Sequence, residues 1–498
     1  MRSTINQSNC QQTETVTERL IRLGSVGNTY FHDKGEPYVC FDSKNSSKAT
    51  KVRSKAFTMM LQKRYFVETG QIPQPDQLNQ AKIHFEGFAT LSDKQHSVET
   101  RIGEHKGNFY YDLNISGGKS IVEISKAGWR LIQVSPVYFR TSQNMLPQVV
   151  PSAKGNVKLL LKHVRFKSKA DKLLYLVYVI SCFVYGIPHP ILILSGEKGA
   201  AKSTSTRMTR SIVDPASNDI LFMQTAVREL AITLQNNYMP AFDNLTSISE
   251  KISDLLCVAA TGGGYSTRKM YSDDEETILS FKRCIILNGI NVVASKADLL
   301  DRCILLELAR IDESERKAEQ EVWQEFNDDK PAILSGIFTV LSKALQIRPT
   351  VKLAGLQRMG DFSIWGYAIA EAIKPGLGDS FLKAYSLNIK RASEEATSAH
   401  PVASAIIAMM RKTDYWQGSV TELLGHLEDV ASRERIDIRN KVWPKGPHVL
   451  SRRINEILSN LKQCGISVEI RHGGDFKVAT VEKIGIKQSN AKPQPAKK

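Results

Sequence analysis

Residues 190–204 read Pro-Ile-Leu-Ile-Leu-Ser-Gly-Glu-Lys-Gly-Ala-Ala-Lys-Ser-Thr. An apolar run ends in a loop of small residues, and Lys202-Ser203-Thr204 opens a polar segment that suits a helix. Buried strand, tight turn and helix N-terminus, in that order, make a phosphate cradle. Successive backbone N–H groups of the turn point inward, and the helix dipole adds to their pull on an anion. Gly196, Glu197, Lys198, Gly199, Ala200 and Ala201 form the candidate cradle, with Thr204 following it. Lys202 is placed to reach the β- and γ-phosphates and Ser203 to hold Mg²⁺. The phosphate-loop pattern has Gly directly before the Lys, where this chain has Ala201. If that position needs a positive φ, the extra Cβ costs roughly 1–2 kcal/mol. Taken alone, the same residues also describe an ordinary strand-turn-helix corner, so the reading depends on what stands downstream.

Three further pieces follow. Tyr238-Met239-Pro240-Ala241-Phe242-Asp243-Asn244 is a short apolar run closed by an aspartate. Asp243 suits the carboxylate that holds the Mg²⁺ water shell, although an acidic turn after a strand reads the same way and Pro240 argues against a central strand. Asn244 stands where a general base is expected; it can orient water but cannot take its proton. Phe281–Gly289 is an apolar strand that ends in Asn288, an amide able to position an attacking water or simply to make an Asn-Gly turn. Ala297–Leu308 places Arg302 at the head of an apolar strand, either as an arginine finger toward a neighbouring subunit's γ-phosphate or as half of an Asp301–Arg302 surface pair. Each piece is weak alone. Their order is informative, because strand ends in an open parallel sheet line one crevice.

Residues 165–312 resemble the AAA+-type ATPase core of superfamily 3 helicases, in particular the primase–helicases of phages, plasmids and large DNA viruses. Thr261-Gly262-Gly263-Gly264-Tyr265-Ser266-Thr267-Arg268-Lys269 is similar to that family's Gly-rich, Arg-Lys-ended segment between its second and third motifs. The resemblance implies an α/β P-loop NTPase core and a homo-oligomer, a hexameric ring, that hydrolyses ATP with Mg²⁺ between subunits and moves on single-stranded DNA. It implies catalytic roles for Lys202, Asp243, Asn244, Asn288 and Arg302. Ala201 and Asn244 depart from the commonest pattern and bear on hydrolysis more than on nucleotide binding. Arg268 and Lys269, with Tyr265 and Tyr271 beside them, suit phosphate contact and base stacking. Asp273-Asp274-Glu275-Glu276 follows at once, so a solvated hairpin with internal ion pairs is the other reading.

The flanks set the domain plan. Residues 1–18 read as a disordered tail and 19–150 as an α+β accessory domain. Its expected elements are a hairpin around Asp33-Lys34-Gly35, helices over 54–68 and 76–86, and short strands from Val98 to Val134. The ATPase core spans 160–312. A helical lid or linker covers 313–412. Residues 413–484 read as a winged helix: a capping box at Ser419–Glu422, a second helix through Leu450 and Leu461, and a two-stranded wing turning at Gly473-Gly474. This segment, with its Trp443-Pro444-Lys445, resembles the C-terminal module of phage primase–helicases. Arg452 and Arg453, read as facing away from that helix's apolar side, and Arg471 on the wing are the candidate duplex-DNA contacts; a protein-docking winged helix is the alternative. Residues 485–498 form a basic tail.

Composition narrows the partners. Among 498 residues, Lys and Arg number 67 against 51 Asp and Glu, a net charge of +16, which favours nucleic acid. Seven cysteines are scattered, with no Cys-x-x-Cys pair and no zinc-ligand spacing, and read as reduced core residues of a cytoplasmic protein. The apolar stretch Leu173–Leu194 is cut at Gly186-Ile187-Pro188, so no membrane partner is expected. No primase signature is present, which leaves priming to a separate primase or polymerase. The expected function is an ATP-dependent DNA helicase of a mobile element, and its rival is a replication initiator that uses ATP as an assembly switch without unwinding.

Overall fold

The structure is a computed structural model that describes residues 14–197, 199–245, 248–268, 276–289, 297–439, 443–473 and 476–484. Lys198, Lys269 and the basic tail 485–498 lie outside the described residues. The chain divides into two compact units, one running to Val150 with Phe183–Tyr185, the other comprising Pro151–Cys182 and everything from Gly186.

In the first unit, the stretch read as a tail to residue 18 already holds the start of a helix. Thr15 caps the helix Val16–Ser25: its hydroxyl accepts from Glu18 N while the Glu18 carboxylate accepts from Thr15 N, a reciprocal capping box. The hairpin Thr29–Asp33/Glu36–Cys40 turns on Lys34 and Gly35, both at positive φ, as a two-residue turn requires. Helices Lys55–Thr69 and Pro75–Thr90 pack on it through Phe57, Leu61, Tyr65 and Phe85. Phe66, one residue after Tyr65 on the first of these helices, is exposed. A four-stranded antiparallel meander runs from Ile102 to Ile132. Between Thr100 and Ile102, Arg101 is fully buried at φ 63° and donates to the carbonyls of Asp112 and Leu146.

The second unit is built on α1 (Lys169–Ser181), β1 (Ile191–Ser195), α2 (Lys202–Val213), α3 (Val227–Asn236), β2 (Ala241–Leu245), α4 (Glu250–Thr261), the hairpin β3 (Gly263–Arg268) and β4 (Glu276–Phe281), β5 (Ile286–Gly289), α5 (Ala297–Leu300) and β6 (Cys303–Glu307). β1, β2, β5 and β6 form one parallel sheet in the order β2-β5-β1-β6. β1 sits between two partners, and Ile191–Leu194 are all buried, the continuous apolar run of a strand covered on both faces. β2 lies on the outside, where Pro240 just before it is tolerated; a single parallel bridge from Leu221 to Phe242 continues the sheet beyond it. Among the described residues no helix is long and apolar enough to cross a membrane.

Three helices follow: α6 (Glu319–Ile347), α7 (Gly360–Ile373) and α8 (Leu377–Ala399). α6 lies so close to the chain at Gly155 that a β-carbon there would stand 2.2 Å from Gly336 N. From α8, the amide of Asn388 completes the outer edge of β6: Leu305 N donates to its Oδ1 at 3.0 Å and its Nδ2 donates to Leu305 O at 2.6 Å. A side chain thus takes the place of a further strand.

The C-terminal module contains α9 (Pro401–Lys412), β7 (Tyr415–Ser419), α10 (Val420–Arg433), α11 (Pro447–Gln463), β8 (Ile466–Gly473) and β9 (Phe476–Lys483), with sheet order β7-β9-β8. The two-stranded wing is the hairpin β8/β9, and β7 joins its sheet as a third strand. α9, assigned from sequence to the lid, packs instead into this core, with Val402 and Ile406 against Leu423, Leu427, Leu450 and Ile454. The module begins at Pro401 and not at residue 413.

Candidate nucleotide site

The loop after β1 has the backbone that its small residues allow. Gly196 and Gly199 lie at φ 153° and 87°. Ala201, at φ 52° and ψ 38°, is left-handed and caps α2. The positive φ anticipated for that position is present, and the residue bearing it has a β-carbon. Lys202 opens α2 and folds back over the loop, its Nζ donating to Gly196 O at 2.8 Å and Glu197 O at 3.1 Å. Ala200 is buried, Thr204 half-buried, and Ser203 is exposed on the first turn.

Strand register brings the next two pieces to this end of the sheet. Leu194 pairs with Asn288, one residue before the loop. Across β5, Phe242 pairs with Leu287 and Leu245 with Gly289, so Asp243 and Asn244 bulge opposite Asn288. Neighbouring strands lie about 4.8 Å apart, so the aspartate strand, the amide strand and the loop strand present these residues side by side at their C-terminal ends. Asp243 is 8% exposed and its Oδ1 accepts from Asn244 N at 2.7 Å. Asn244 itself is exposed, at φ 57°. Asn288 is 1% exposed, and its Oδ1 has no hydrogen-bond partner among the described residues. Buried polar atoms in folded proteins are almost always satisfied, so this exception calls for a partner.

Arg302 is not in this crevice. It precedes β6, and the strands are parallel, so it sits at the N-terminal end of the sheet, where its carbonyl accepts from Ile191 N at 2.8 Å. The expectation that all four strand ends meet fails here, because a residue that opens a parallel strand stands a strand's length from residues that close its neighbours, about 3.3 Å per residue. Its guanidinium is 18% exposed and bound to Asp298, 2.6 Å from Oδ2 and 2.7 Å from the carbonyl. The surface pair considered for it, with Asp301, is made instead by Arg358, at 2.8 Å.

Sequence reading passed over two cations beside the loop. Arg316 Nη2 lies 3.5 Å from where a β-carbon on Gly199 would stand. Arg310 reaches to 3.8 Å from the Glu197 carboxylate, which is also 3.9 Å from Lys167. Both arginines follow β6, which ends beside β1. Their proximity comes from sheet order and not from any local motif.

The DNA candidates divide. Arg452 is 67% exposed and only 3.9 Å from Glu456. Arg453, expected to face away from the core, is 19% exposed, held by Glu456 at 2.8 Å, with its Nε buried and unpartnered among the described residues. Arg471 is exposed on the wing and doubly bound to Glu469 at 2.7 and 2.8 Å. Arg268 ends β3 in register with Glu276, while Lys269 beyond it is outside the described residues.

Residues 157–386 match the family model described as actinomycete integrative conjugative element replication protein. Residues 402–494 match the C-terminal domain model of the same replication protein. Over these two stretches the chain is similar to replication proteins of a mobile element. No curated protein matches it. Among solved structures, the apo structure of the NrS-1 C terminal region aligns with 10% identity and a TM-score of 0.40, covering 94% of this chain and 99% of that one. The A form of the same region gives 10% and 0.40 over 93% and 99%. At that TM-score the likeness decides neither fold nor function.

Proposed function

We propose that this chain is an ATP-dependent DNA motor, the helicase of a mobile element's replication system, working as a homo-oligomeric ring. The observation that carries the reading is the unsatisfied, buried Asn288 Oδ1, in register with the strand that feeds the Lys202 loop and opposite the bulge that carries Asp243. ATP would lie in the loop from Gly196 to Ser203, its phosphates against backbone N–H groups and Lys202. The donor set fits Mg²⁺: Ser203 offers an exposed hydroxyl, and the second carboxylate oxygen of Asp243 has no partner among the described residues. When bound, the ion neutralises phosphate charge. Asn288 would orient the attacking water, Asn244 would assist it, and Arg310 and Arg316 would add positive charge beside the γ-phosphate. Arg302, at the far end of the sheet, can only serve a neighbouring copy's site, and only by leaving Asp298. Single-stranded DNA would run past Arg268 and Lys269, and duplex DNA would meet Arg452 and Arg471.

Phosphate release from ATP, with and without single-stranded DNA, tests the reading beside strand displacement on a forked duplex. DNA-stimulated turnover that Lys202→Ala abolishes supports the motor. Absence of any nucleotide binding refutes it. A second reading, an ATP-switched initiator, is favoured by the Arg302–Asp298 pairing, which removes the arginine from a hydrolytic role. That protein binds ATP and assembles on duplex DNA but displaces no strand.

A further inference from the structure

At the opposite end of the sheet from the phosphate loop, three side chains from distant parts of the chain converge. Cys182 follows the last turn of α1, His189 stands two residues before β1, and Cys284 two residues before β5. One potential ligand atom from each lies within 4.8 Å of the others, and all three residues are buried. Cys182 and Cys284 are wholly inaccessible and His189 is 2% exposed. His189 Nδ1 is buried with no hydrogen-bond partner among the described residues, a state that costs about 1–3 kcal/mol if nothing satisfies it.

The backbone fixes all three. His189 stands between Pro188 and Pro190, and its N–H donates to Ala260 O at 3.0 Å. Cys284 N donates to Tyr238 O at 3.2 Å, and the Tyr238 hydroxyl donates to Cys182 O at 2.7 Å. Two sulfurs and an imidazole, dry and held from outside, are the donor set of thiophilic d¹⁰ ions and not of Mg²⁺ or Ca²⁺. Metal–sulfur and metal–nitrogen bonds of about 2.3 and 2.0 Å put tetrahedral ligand atoms roughly 3.3–3.8 Å apart, inside the observed limit.

We propose that Cys182, His189 and Cys284 form a buried structural site for a thiophilic d¹⁰ metal ion of the Zn²⁺ class. The ion would tie the end of α1 to the approaches of β1 and β5, the strands that carry the phosphate loop and Asn288. It binds as the chain folds, since both thiols must lose their protons and no solvent reaches them afterwards. This is independent of what the nucleotide site does.

The test is metal analysis of the full chain, expressed in zinc-replete medium and purified under reducing conditions without chelator. Plasma mass spectrometry of zinc and copper is expected to find one equivalent of one of them per chain, and the metal found tells the two apart. Denatured and refolded with Co²⁺ in place of zinc, the chain is expected to develop a thiolate-to-cobalt charge-transfer band that saturates at one equivalent. Cys284→Ser and His189→Ala should lose the metal, and Cys257→Ser, a buried thiol outside the cluster, should keep it. Should the first two variants fail to fold, His189→Cys is expected to restore both folding and one equivalent of metal. Wild-type protein that folds metal-free and gives no cobalt band overturns the proposal. So does a Cys182–Cys284 disulfide found in non-reducing peptide maps, or full metal retention in folded Cys284→Ser.

Discussion

Ala201→Gly is the substitution whose outcome follows most directly from the backbone. At φ 52° and ψ 38° the alanine Cβ crowds the following carbonyl, a cost of roughly 1–2 kcal/mol. Glycine removes that strain but gives the unfolded chain more freedom, which returns about 0.4–1 kcal/mol. The difference is a net stabilisation of about 1 kcal/mol or slightly less, with no contact altered. Urea titration should show the transition of the unit that carries this loop moving to higher denaturant with unchanged slope, as stability and not compactness is affected. Ala201→Val should move it the other way, because a β-branched residue at positive φ is a true outlier. Nucleotide affinity should stay within about twofold in the glycine variant, since the loop already holds this conformation. An Ala201→Gly protein less stable by 1 kcal/mol or more would mean the residue is not left-handed in the folded chain, and the loop reading would fall with it.

Asn288→Ala removes an acceptor that no described residue uses, so stability should change by less than about 1 kcal/mol. ATP turnover should fall by about 100-fold with nucleotide affinity retained, if the amide positions water; equal turnover in binding-competent protein refutes that role. Asn388→Ala strands Leu305 N–H in the interior, while Leu305 O keeps its bond from Arg391; a loss of about 1–3 kcal/mol is expected by denaturation. His400 caps α9, its Nδ1 accepting from Ala403 N at 3.4 Å. Burial first and the Arg453 charge second push its pKa down from 6.5 to about 4, against an opposing pull from Glu456. The unfolded chain therefore takes the proton first. The stabilisation is complete above pH 6.5 and is lost progressively as pH falls toward 4. His400→Asn, which keeps a cap without a titrating group, should flatten that part of the profile in thermal melts.

Much of the candidate site was legible because it is written locally. An apolar run, small residues and Lys-Ser announce their own turn, and even the strain at Ala201 followed from the missing glycine. Asp243 and Asn288 were legible as strand ends, since both close apolar runs. Arg302 was legible as the head of a strand, and for that reason it does not join the loop, Asp243 and Asn288 within one copy. In a parallel sheet the head and tail of a strand face different worlds. Arg316 and the Cys182–His189–Cys284 cluster were invisible for another reason: no spacing rule links residues brought together only by sheet order. The start of the C-terminal module was missed because α9 looks like any apolar-striped helix, and only packing shows which core it serves.

Asn388 has a consequence for how copies of this chain can meet. Its amide occupies the backbone groups that a neighbour's strand would need on that flank, so the sheet cannot grow from one molecule into the next there. Any assembly across that side has to be joined through helices and side chains, contacts that can slip and reform. An interface of that kind can loosen and tighten while the strands within each copy stay undisturbed.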